Sequence, residues 1–165
     1  MYHIVGFTPE APTVEAAFGG KKPQREVVIT DKDLLDFQEE YSDKAHDGNK
    51  VDFAMFGCPH FTLKEAMYIA KHIEGKKLVL PMYILVSSDA AEMARRMGIT
   101  DILTAAGAEI IPDSCPDQPC WHYLKGKVGI TESPKCAYYP RRRGINFMIR
   151  DLDTCIEAAL TGEVK

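Results

Sequence analysis

The 165-residue sequence has little of what marks membrane or secreted proteins. It contains no stretch approaching about 18 uncharged apolar residues, which excludes a transmembrane helix. Its first residues show no basic segment followed by an apolar one, so no export signal is predicted. Its five cysteines are odd in number and irregularly spaced, unlike a secreted disulfide framework. We therefore expect a cytoplasmic protein with free thiols and no membrane partner.

Several nucleotide and metal motifs are missing as well. The sequence has no GxGxxG or Walker loop, so dinucleotide and triphosphate binding are not predicted. Its five histidines form no HxH or HExxH pattern, which leaves zinc-hydrolase chemistry without support. A net charge of −4 argues against nucleic acid as a partner. With 45% hydrophobic and 27% charged residues, the composition predicts a globular domain with its own core.

The charge is unevenly distributed along the chain. Residues 115–150 carry only two acidic side chains but seven basic ones, including the three arginines at 141–143. The same segment holds Cys115, Cys120 and Cys136. A positive field beside thiols favours thiolates and attracts an anionic ligand. The alternative is a basic loop that is merely solvated.

Residues 51–165 alternate between strand-like and helical patterns. The capping-box sequence Thr62–Glu65 predicts the start of the first helix. This alternation predicts a parallel sheet with right-handed crossovers, and hence a three-layer αβα domain of the α/β class. Residues 116–144 are expected to form a long irregular loop. The predicted strands are 51–56, 78–86 with good pairing confined to 82–86, 108–111 and 145–149, and the later helices are 88–97, 99–106 and 151–160.

Residues 1–50 are expected to form a segment packed on that domain. Their pattern predicts a short helix ending at Phe18, a strand over 26–29 and a helix from Thr30 or Asp31 to Tyr41. Residues 42–50 are polar and form the best candidate for an internal linker.

Two cysteines follow predicted strands of the sheet. Cys58 comes after the first strand and Cys115 after the third, and parallel strands end at one edge, where ligands bind. Cys136 lies in the loop that leaves this edge and can fold back beside them. Three thiolates can hold an iron–sulfur cluster with an open iron position. Free cysteines are also common core residues, and Cys120 is an alternative ligand or a loop thiol.

His60 leaves a further alternative open. It can be a ligand, a base for a thiolate, or a surface residue. Cys58 at a strand-to-helix turn also permits a nucleophilic cysteine, because a helix N-terminus lowers a thiol pKa. Cys155, by contrast, lies in an apolar helical stripe and is predicted to be core.

Four separated segments occur in an order found in one known family. They are residues 3–13 (HIVGFTPEAPT), Gly57-Cys-Pro-His60, Pro112-Asp-Ser-Cys115 and residues 131–139 (TESPKCAYY). Together with the closing segment 153–162 (DTCIEAALTG), they resemble aconitase X over essentially the whole chain. More narrowly, they resemble the C-terminal part of its large subunit or catalytic domain.

The resemblance implies an aconitase-domain-like fold and a hydro-lyase, a dehydratase acting on a small anionic hydroxy acid. Known activities of the family include phosphomevalonate dehydratase and cis-3-hydroxy-L-proline dehydratase. The implied cofactor is a [4Fe-4S] or [2Fe-2S] cluster, with Cys58, Cys115 and Cys136 matching the three cluster cysteines. Ser133 and Lys135 match a catalytic element, while the positions implied for substrate binding are Thr8, Glu10, Thr13 and His60.

The family's large subunit is much longer than this chain, and a small subunit or fused swivel domain completes its active site. The chain thus resembles a fragment whose partners are the remainder of that subunit and the small subunit. It is expected to be inactive alone, and the cluster can be absent from the isolated chain. The alternative is a non-catalytic α/β module that binds an anion or regulates a partner, with structural cysteines.

Overall fold

The computed structural model describes residues 2–165, which form two compact units. One unit runs to Leu34 and the other comprises Leu35–Lys165. The domain division predicted at residue 50 stays a prediction. Within the described residues, every helix is too short or too polar to cross a lipid bilayer.

The first unit consists of turns, one short helix and the first turn of a second helix. The amide of Ile4 donates to the Thr8 hydroxyl (2.9 Å), and the Thr13 hydroxyl caps helix α1 (Val14–Phe18) by accepting from the Ala16 amide at 3.2 Å. The helix ends at Gly19, as its sequence predicts. The predicted strand over 26–29 is wrong, since these residues are not part of any strand and are exposed. Helix α2 (Asp31–Tyr41) follows as expected.

A five-stranded parallel sheet organises the second unit. Its order is β3-β2-β1-β4-β5, with every neighbouring pair parallel. The predicted α/β class with a parallel sheet is therefore confirmed. The elements are β1 (Phe53–Phe61), α3 (Leu63–Ile73), β2 (Met82–Val86), α4 (Ser88–Arg96), α5 (Ile99–Ala106), β3 (Ala108–Pro112), β4 (Val128–Thr131), α6 (Pro134–Tyr138), β5 (Asn146–Ile149) and α7 (Leu152–Thr161).

The strand order determines which face each helix covers. Helices α3, α5 and α7 bury apolar side chains on one face of the sheet, where Ile69, Leu103 and Ile156 join the core. Between β4 and β5 the chain crosses in the opposite direction, and α6 packs on the other face with Trp121 and Leu124 of the 3₁₀ helix Pro119–Leu124. A right-handed crossover that changes direction places its helix on the opposite face. The result is three layers.

Strand β4 is the main error of the sequence interpretation. Residues 116–144 were expected to be irregular, yet they contain β4, α6 and two 3₁₀ helices. The strand is only four residues long, and Gly129 interrupts its apolar run. Gly129 pairs with Phe53 on one side and Phe147 on the other, and the two rings meet edge to face at 5.3 Å. The glycine is required because a Cβ there would lie 2.5 Å from the Phe53 ring.

Residues 42–43 form a strap along β5, the edge strand. The Phe147 amide donates to the Asp43 carboxylate (3.0 Å), and the Asp43 amide donates to the Phe147 carbonyl (2.8 Å). The Ser42 hydroxyl accepts from the Ile149 amide at 2.9 Å. Gln38 of α2 donates its side-chain amide to the Ile149 carbonyl. The polar groups of this edge are therefore satisfied without another strand.

Candidate functional site at the carboxyl edge of the sheet

The strand order reverses between β1 and β4. Chain connections leave these two strands in opposite directions, toward β2 on one side and β5 on the other. In open α/β sheets a crevice forms at the carboxyl ends of such a pair, and ligands bind there. The segment after β4 and the carboxyl end of β1 carry Cys136 and Cys58, respectively.

The Gly57–His60 motif lies within an irregular end of β1. Strand β1 was expected to end at residue 56, but it continues to Phe61 with a register shift against β2. Gly57 has φ +95°, and the Cys58–Pro59 peptide bond is cis. Cys58 is buried while Pro59 and His60 are exposed. The irregularity turns the motif out of the sheet without ending the strand.

Ser133 joins the two cysteine segments at the reversal. Its hydroxyl donates to the Cys58 carbonyl and accepts from the Cys136 amide at 3.2 Å, which caps α6. Ser133 and Cys136 are both buried, whereas Lys135 between them is exposed. The predicted catalytic role of Ser133 stays a prediction. In the structure its hydroxyl holds the backbone around both thiols.

Cys115 reaches this place from the far edge of the sheet. After β3, the Asp113 amide donates to the carbonyl of Val86, the last residue of β2 (2.8 Å). His60 Nε2 then donates to the Ser114 carbonyl (2.7 Å), next to β1. The loop thus runs back across the ends of two strands. Its path explains how a residue following an edge strand arrives beside Cys58.

A pocket of 310 Å³ lies where these segments meet. Cys58, Cys115, His60 and Lys135 line it, so four residues predicted to belong to the site come together. The Cys136 thiol lies beneath, fully buried, and within electrostatic reach of Cys58 and Cys115. The cavity combines two thiols with one cationic side chain, which suits an electrophilic metal centre or an anionic ligand.

The thiol pKa values differ from the sequence-based expectation. Burial raises the pKa of Cys58, although nearby Lys135 acts in the opposite direction. Burial raises the pKa of Cys136 much further. The expectation that the basic segment 115–150 favours thiolates is therefore wrong for Cys136, because desolvation outweighs the positive charge. The raised pKa of Cys58 weighs against a nucleophilic role for this residue, which needs a lowered pKa.

The three thiols have the donor chemistry of an iron–sulfur cluster but not a ready-made geometry. All five cysteines are free, and cysteine thiolates are the usual cluster ligands. Within residues 2–165, no three His, Cys, Asp or Glu side chains are arranged to hold a metal ion. A cluster bound here would need Cys136 to lose its proton and the thiols to turn toward one another. The donor set fits such a group in kind, with two of the three cysteines lining one pocket.

Comparison with known proteins identifies the family of the chain. The family model for the aconitase X third domain matches residues 51–161. The chain belongs to the aconitase X family. The resemblance predicted from the four sequence motifs is thereby confirmed.

Two curated relatives and one solved structure show how much of their length the chain spans. The chain is 32% identical to phosphomevalonate dehydratase large subunit of Thermococcus kodakarensis, over 96% of this chain and 39% of that protein. It is 30% identical to cis-3-hydroxy-L-proline dehydratase of Pseudomonas aeruginosa, over 98% of this chain and 28% of that protein. The crystal structure of Thermococcus kodakaraensis aconitase X in its holo-form aligns with a TM-score of 0.70 at 29% identity. The alignment covers 83% of this chain and 36% of that one. The aconitase X chain therefore spans about two fifths or less of each of these proteins.

The three arginines of the aconitase X chain at 141–143 do not face the pocket as an anion site. Arg141 pairs with Asp43 at 3.1 Å, and Arg142 and Arg143 both pair with Asp117. The charge of these three arginines is thus partly balanced within the fold, by Asp43 and Asp117. Lys135 is the cationic side chain in the pocket lining.

The remaining predicted residues lie elsewhere. Thr8, Glu10 and Thr13 belong to the first unit, where the two threonine hydroxyls accept backbone hydrogen bonds and Glu10 is exposed. Their role in substrate binding stays a prediction. In the second unit, Cys120 is exposed and is not part of the pocket lining, and Cys155 is buried in the core as predicted.

Glu132 was missed by the sequence interpretation. It follows β4 directly, and burial raises its pKa to about 7, with Glu65 adding in the same direction. A single glutamate beside Thr131 gives no sequence signal of burial. Its position directly after β4 would have been the only indication, and β4 was not predicted.

Glu132→Gln should alter the pH dependence of stability in this aconitase X chain. In the unfolded chain Glu132 ionises near 4.5, but in the folded chain it keeps its proton to about pH 7. Because the folded state binds the extra proton, wild-type stability falls as pH rises from 4.5 through 7. Gln resembles the protonated side chain, so its advantage over wild type should grow from near zero to at most about 3 kcal/mol. Denaturant titrations between pH 4.5 and 8 measure this difference.

A matched control is Glu109→Gln, at an exposed position on β3. Its stability should follow the wild-type curve at every pH. If the Glu132→Gln curve also runs parallel to wild type, Glu132 is not protonated in the folded chain at neutral pH.

Proposed function

We propose that this chain is the cluster-bearing part of an aconitase X hydro-lyase that dehydrates a small anionic hydroxy acid. The observation that supports this most directly is the meeting of Cys58, Cys115 and Lys135 in one pocket at the reversal of strand order. The named relatives are dehydratases of phosphomevalonate and of cis-3-hydroxy-L-proline. The substrate class is accordingly phosphomevalonate-like or hydroxyproline-like.

The cofactor in this proposal is an iron–sulfur cluster, [4Fe-4S] or [2Fe-2S], held by Cys58, Cys115 and Cys136. When bound, an iron with a coordination position free of cysteine supplies a Lewis acid for a hydroxyl or carboxylate oxygen. Five free thiols agree with a reducing cytoplasmic location.

The chain's own residues would bind and orient the substrate. Lys135 is exposed at the pocket and offers an ammonium group to a carboxylate or phosphate. His60 donates from Nε2 to Ser114, which holds its ring at the rim. Ser133 keeps its predicted catalytic role together with Lys135, and Thr8, Glu10 and Thr13 keep theirs in substrate binding. Dehydration also removes a proton from the carbon beside the departing hydroxyl, and part of that base function comes from outside these residues.

Iron binding tests the cofactor assignment. The chain is reconstituted anaerobically with iron and sulfide, and bound iron, sulfide and the visible spectrum are measured. We expect Cys58→Ala, Cys115→Ala and Cys136→Ala each to abolish the bound iron. Cys120→Ala removes an exposed thiol outside the pocket and should leave the iron content unchanged. Iron retained in all three single variants would contradict the assignment and favour a module with structural cysteines.

The partner in this proposal is the polypeptide that corresponds to the rest of the relatives, with a small subunit or swivel domain. Val27, Val28 and Ile29 are 68%, 83% and 71% exposed, and their strand-like sequence lacks a strand to pair with. The relatives align over 96% and 98% of the chain, well beyond the 51–161 match, so this segment has counterparts in them. Such exposed apolar runs are typical of surfaces that another part of a protein covers.

The chain alone should therefore show no turnover. Purified chain carrying iron is assayed with phosphomevalonate and with cis-3-hydroxy-L-proline, following loss of substrate. Both assays are expected to stay at the buffer rate, because part of the substrate pocket and of the base is missing. Dehydration of either compound above that rate would show that residues 1–165 contain a complete active site.

A further inference from the structure

Asp117 lies two residues beyond Cys115 and binds two arginines at once. Arg142 donates through Nε (3.1 Å) and through its terminal nitrogen to the two carboxylate oxygens. Arg143 donates from Nε to the carboxylate (2.8 Å) and to the Asp117 carbonyl (2.7 Å). The Asp117 side chain is only 11% exposed, whereas those of Arg142 and Arg143 are 69% and 35% exposed. Hydrogen bonds between ionised groups are stronger than those between neutral groups.

The two arginines belong to the segment that follows Cys136. Helix α6 carries Cys136 and runs directly into the 3₁₀ helix Tyr139–Arg143. The ion pairs therefore connect the loop of one predicted cluster cysteine to the segment of another. Nothing in the sequence spacing indicates this link, because 25 residues separate Asp117 from Arg142.

The rest of the Cys115 loop is held as well, but through its backbone. Val86 and His60 bind its first residues, and Trp121 Nε1 donates to the Cys115 carbonyl at 2.9 Å. The Cys115 side chain itself is exposed. Because its backbone is held by these hydrogen bonds, the Cys115 side chain can rotate but its thiol can reach only nearby positions. Asp117 is the one acidic side chain of residues 115–118, and its ion pairs anchor the far end of the loop.

We propose that Asp117, through Arg142 and Arg143, is a positioning residue for Cys115 that fixes its loop against the Cys136 segment. We call the ion pairs of Asp117 with Arg142 and Arg143 the clamp. This inference rests on the proposed function, in which the clamp helps to hold a cluster between Cys115 and Cys136. In this role Asp117 contacts neither the cluster nor the substrate. It limits the movement of Cys115 relative to Cys136, and a preorganised site requires such fixed positions of its ligands.

Backbone hydrogen exchange in the iron-free chain tests the positioning without any cofactor. Asp117→Asn removes the charge with little change of shape. We expect exchange across residues 114–118, including the Gln118 amide that donates to the Cys115 carbonyl, to accelerate about tenfold, since hydrogen bonds to charged groups are among the strong ones. Arg143→Met perturbs the clamp from the other side and should act in the same direction. Unchanged exchange in both variants overturns the proposal.

The matched control is Glu92→Gln on α4. Glu92 also binds two arginines, with Arg95 and Arg96 each at 2.8 Å, but it carries no neighbouring cysteine. This variant should leave exchange in residues 114–118 at the wild-type rate. Acceleration there by Glu92→Gln would show a general loss of stability and would count against a specific role of Asp117.

Iron retention tests the purpose of the clamp. After anaerobic reconstitution, the rate at which a chelator removes iron is expected to rise about tenfold in Asp117→Asn and to stay unchanged in Glu92→Gln. Faster exchange without faster iron loss overturns the positioning role and leaves a merely structural ion pair. If wild type itself binds no iron, the proposed function fails on its own test, while the exchange experiment still decides whether Asp117 fixes the Cys115 loop.

Discussion

Gly57→Ala is expected to destabilise the second unit severely, although it adds only a single methyl group. A Cβ at residue 57 would lie 2.0 Å from the Leu85 carbonyl oxygen on the neighbouring strand β2, and the backbone has φ +95°. A backbone carbonyl within a parallel sheet cannot move aside as a side chain can. We expect a loss of about 4 kcal/mol or more, which is the range of severe core defects. Urea unfolding followed by circular dichroism measures it.

Gly98→Ala separates the steric clash from the cost of the backbone conformation. Gly98 also has a positive φ, +73°, but a Cβ there meets nothing within 4 Å. Its replacement should therefore cost only about 1 kcal/mol, the strain of a left-handed residue. If both variants lose the same amount, the approach of β1 to Leu85 is not as close as the structure has it.

Phe147→Ala is expected to have the second large effect. Phe147 is fully buried on β5, and its ring meets Phe53 over Gly129, which has no side chain to fill the space left behind. Removing a buried aromatic ring leaves a cavity as well as lost burial, at a cost of about 3–5 kcal/mol. The midpoint of urea unfolding should fall accordingly, with little change in the slope of the transition.

Tyr138→Ala serves as the comparison for Phe147→Ala. Tyr138 is an aromatic residue of similar size on α6, but 58% of it is exposed. Its truncation should cost below about 1 kcal/mol, as is usual for surface positions. A Phe147→Ala loss equally small would mean that Phe53 and Tyr83 close over the vacated space.

The sheet domain could be predicted largely because its signals are local. The capping box at Thr62 and Glu65 is present with both reciprocal hydrogen bonds. Pro81 confines pairing of the second strand to Met82–Val86, as expected. These features depend on neighbours within a few residues. The strand order was not predicted, because the alternation of strands and helices implies parallel strands but not which of them are neighbours.

The errors occur where distant residues decide the structure. β4 pairs with β1 on one side and β5 on the other, where Phe53 and Phe147 flank Gly129, and no local pattern contains that information. Residues 26–29 have the composition of a strand but find no partner strand in this chain.

Strand-end geometry selected Cys58 and Cys115 from the sequence, and both line the pocket. It could not reveal how strongly burial acts on the thiols, because burial depends on the packing of all three layers. Asp117 and Glu132 escaped notice for the same reason. Asp117 binds Arg142, which lies far away in the sequence. Glu132 is buried at the end of β4, a strand that was not predicted.

The strap formed by Ser42 and Asp43 has a consequence for how the protein can associate. An unpaired edge strand is a template on which another chain can add a strand, leading to fusion of sheets or to aggregation. Here the amides of Phe147 and Ile149 are already bound by side chains from the strap, so β5 cannot accept a new neighbour. Any extension of this sheet by an added strand must therefore occur at β3, on the side from which the Cys115 loop departs.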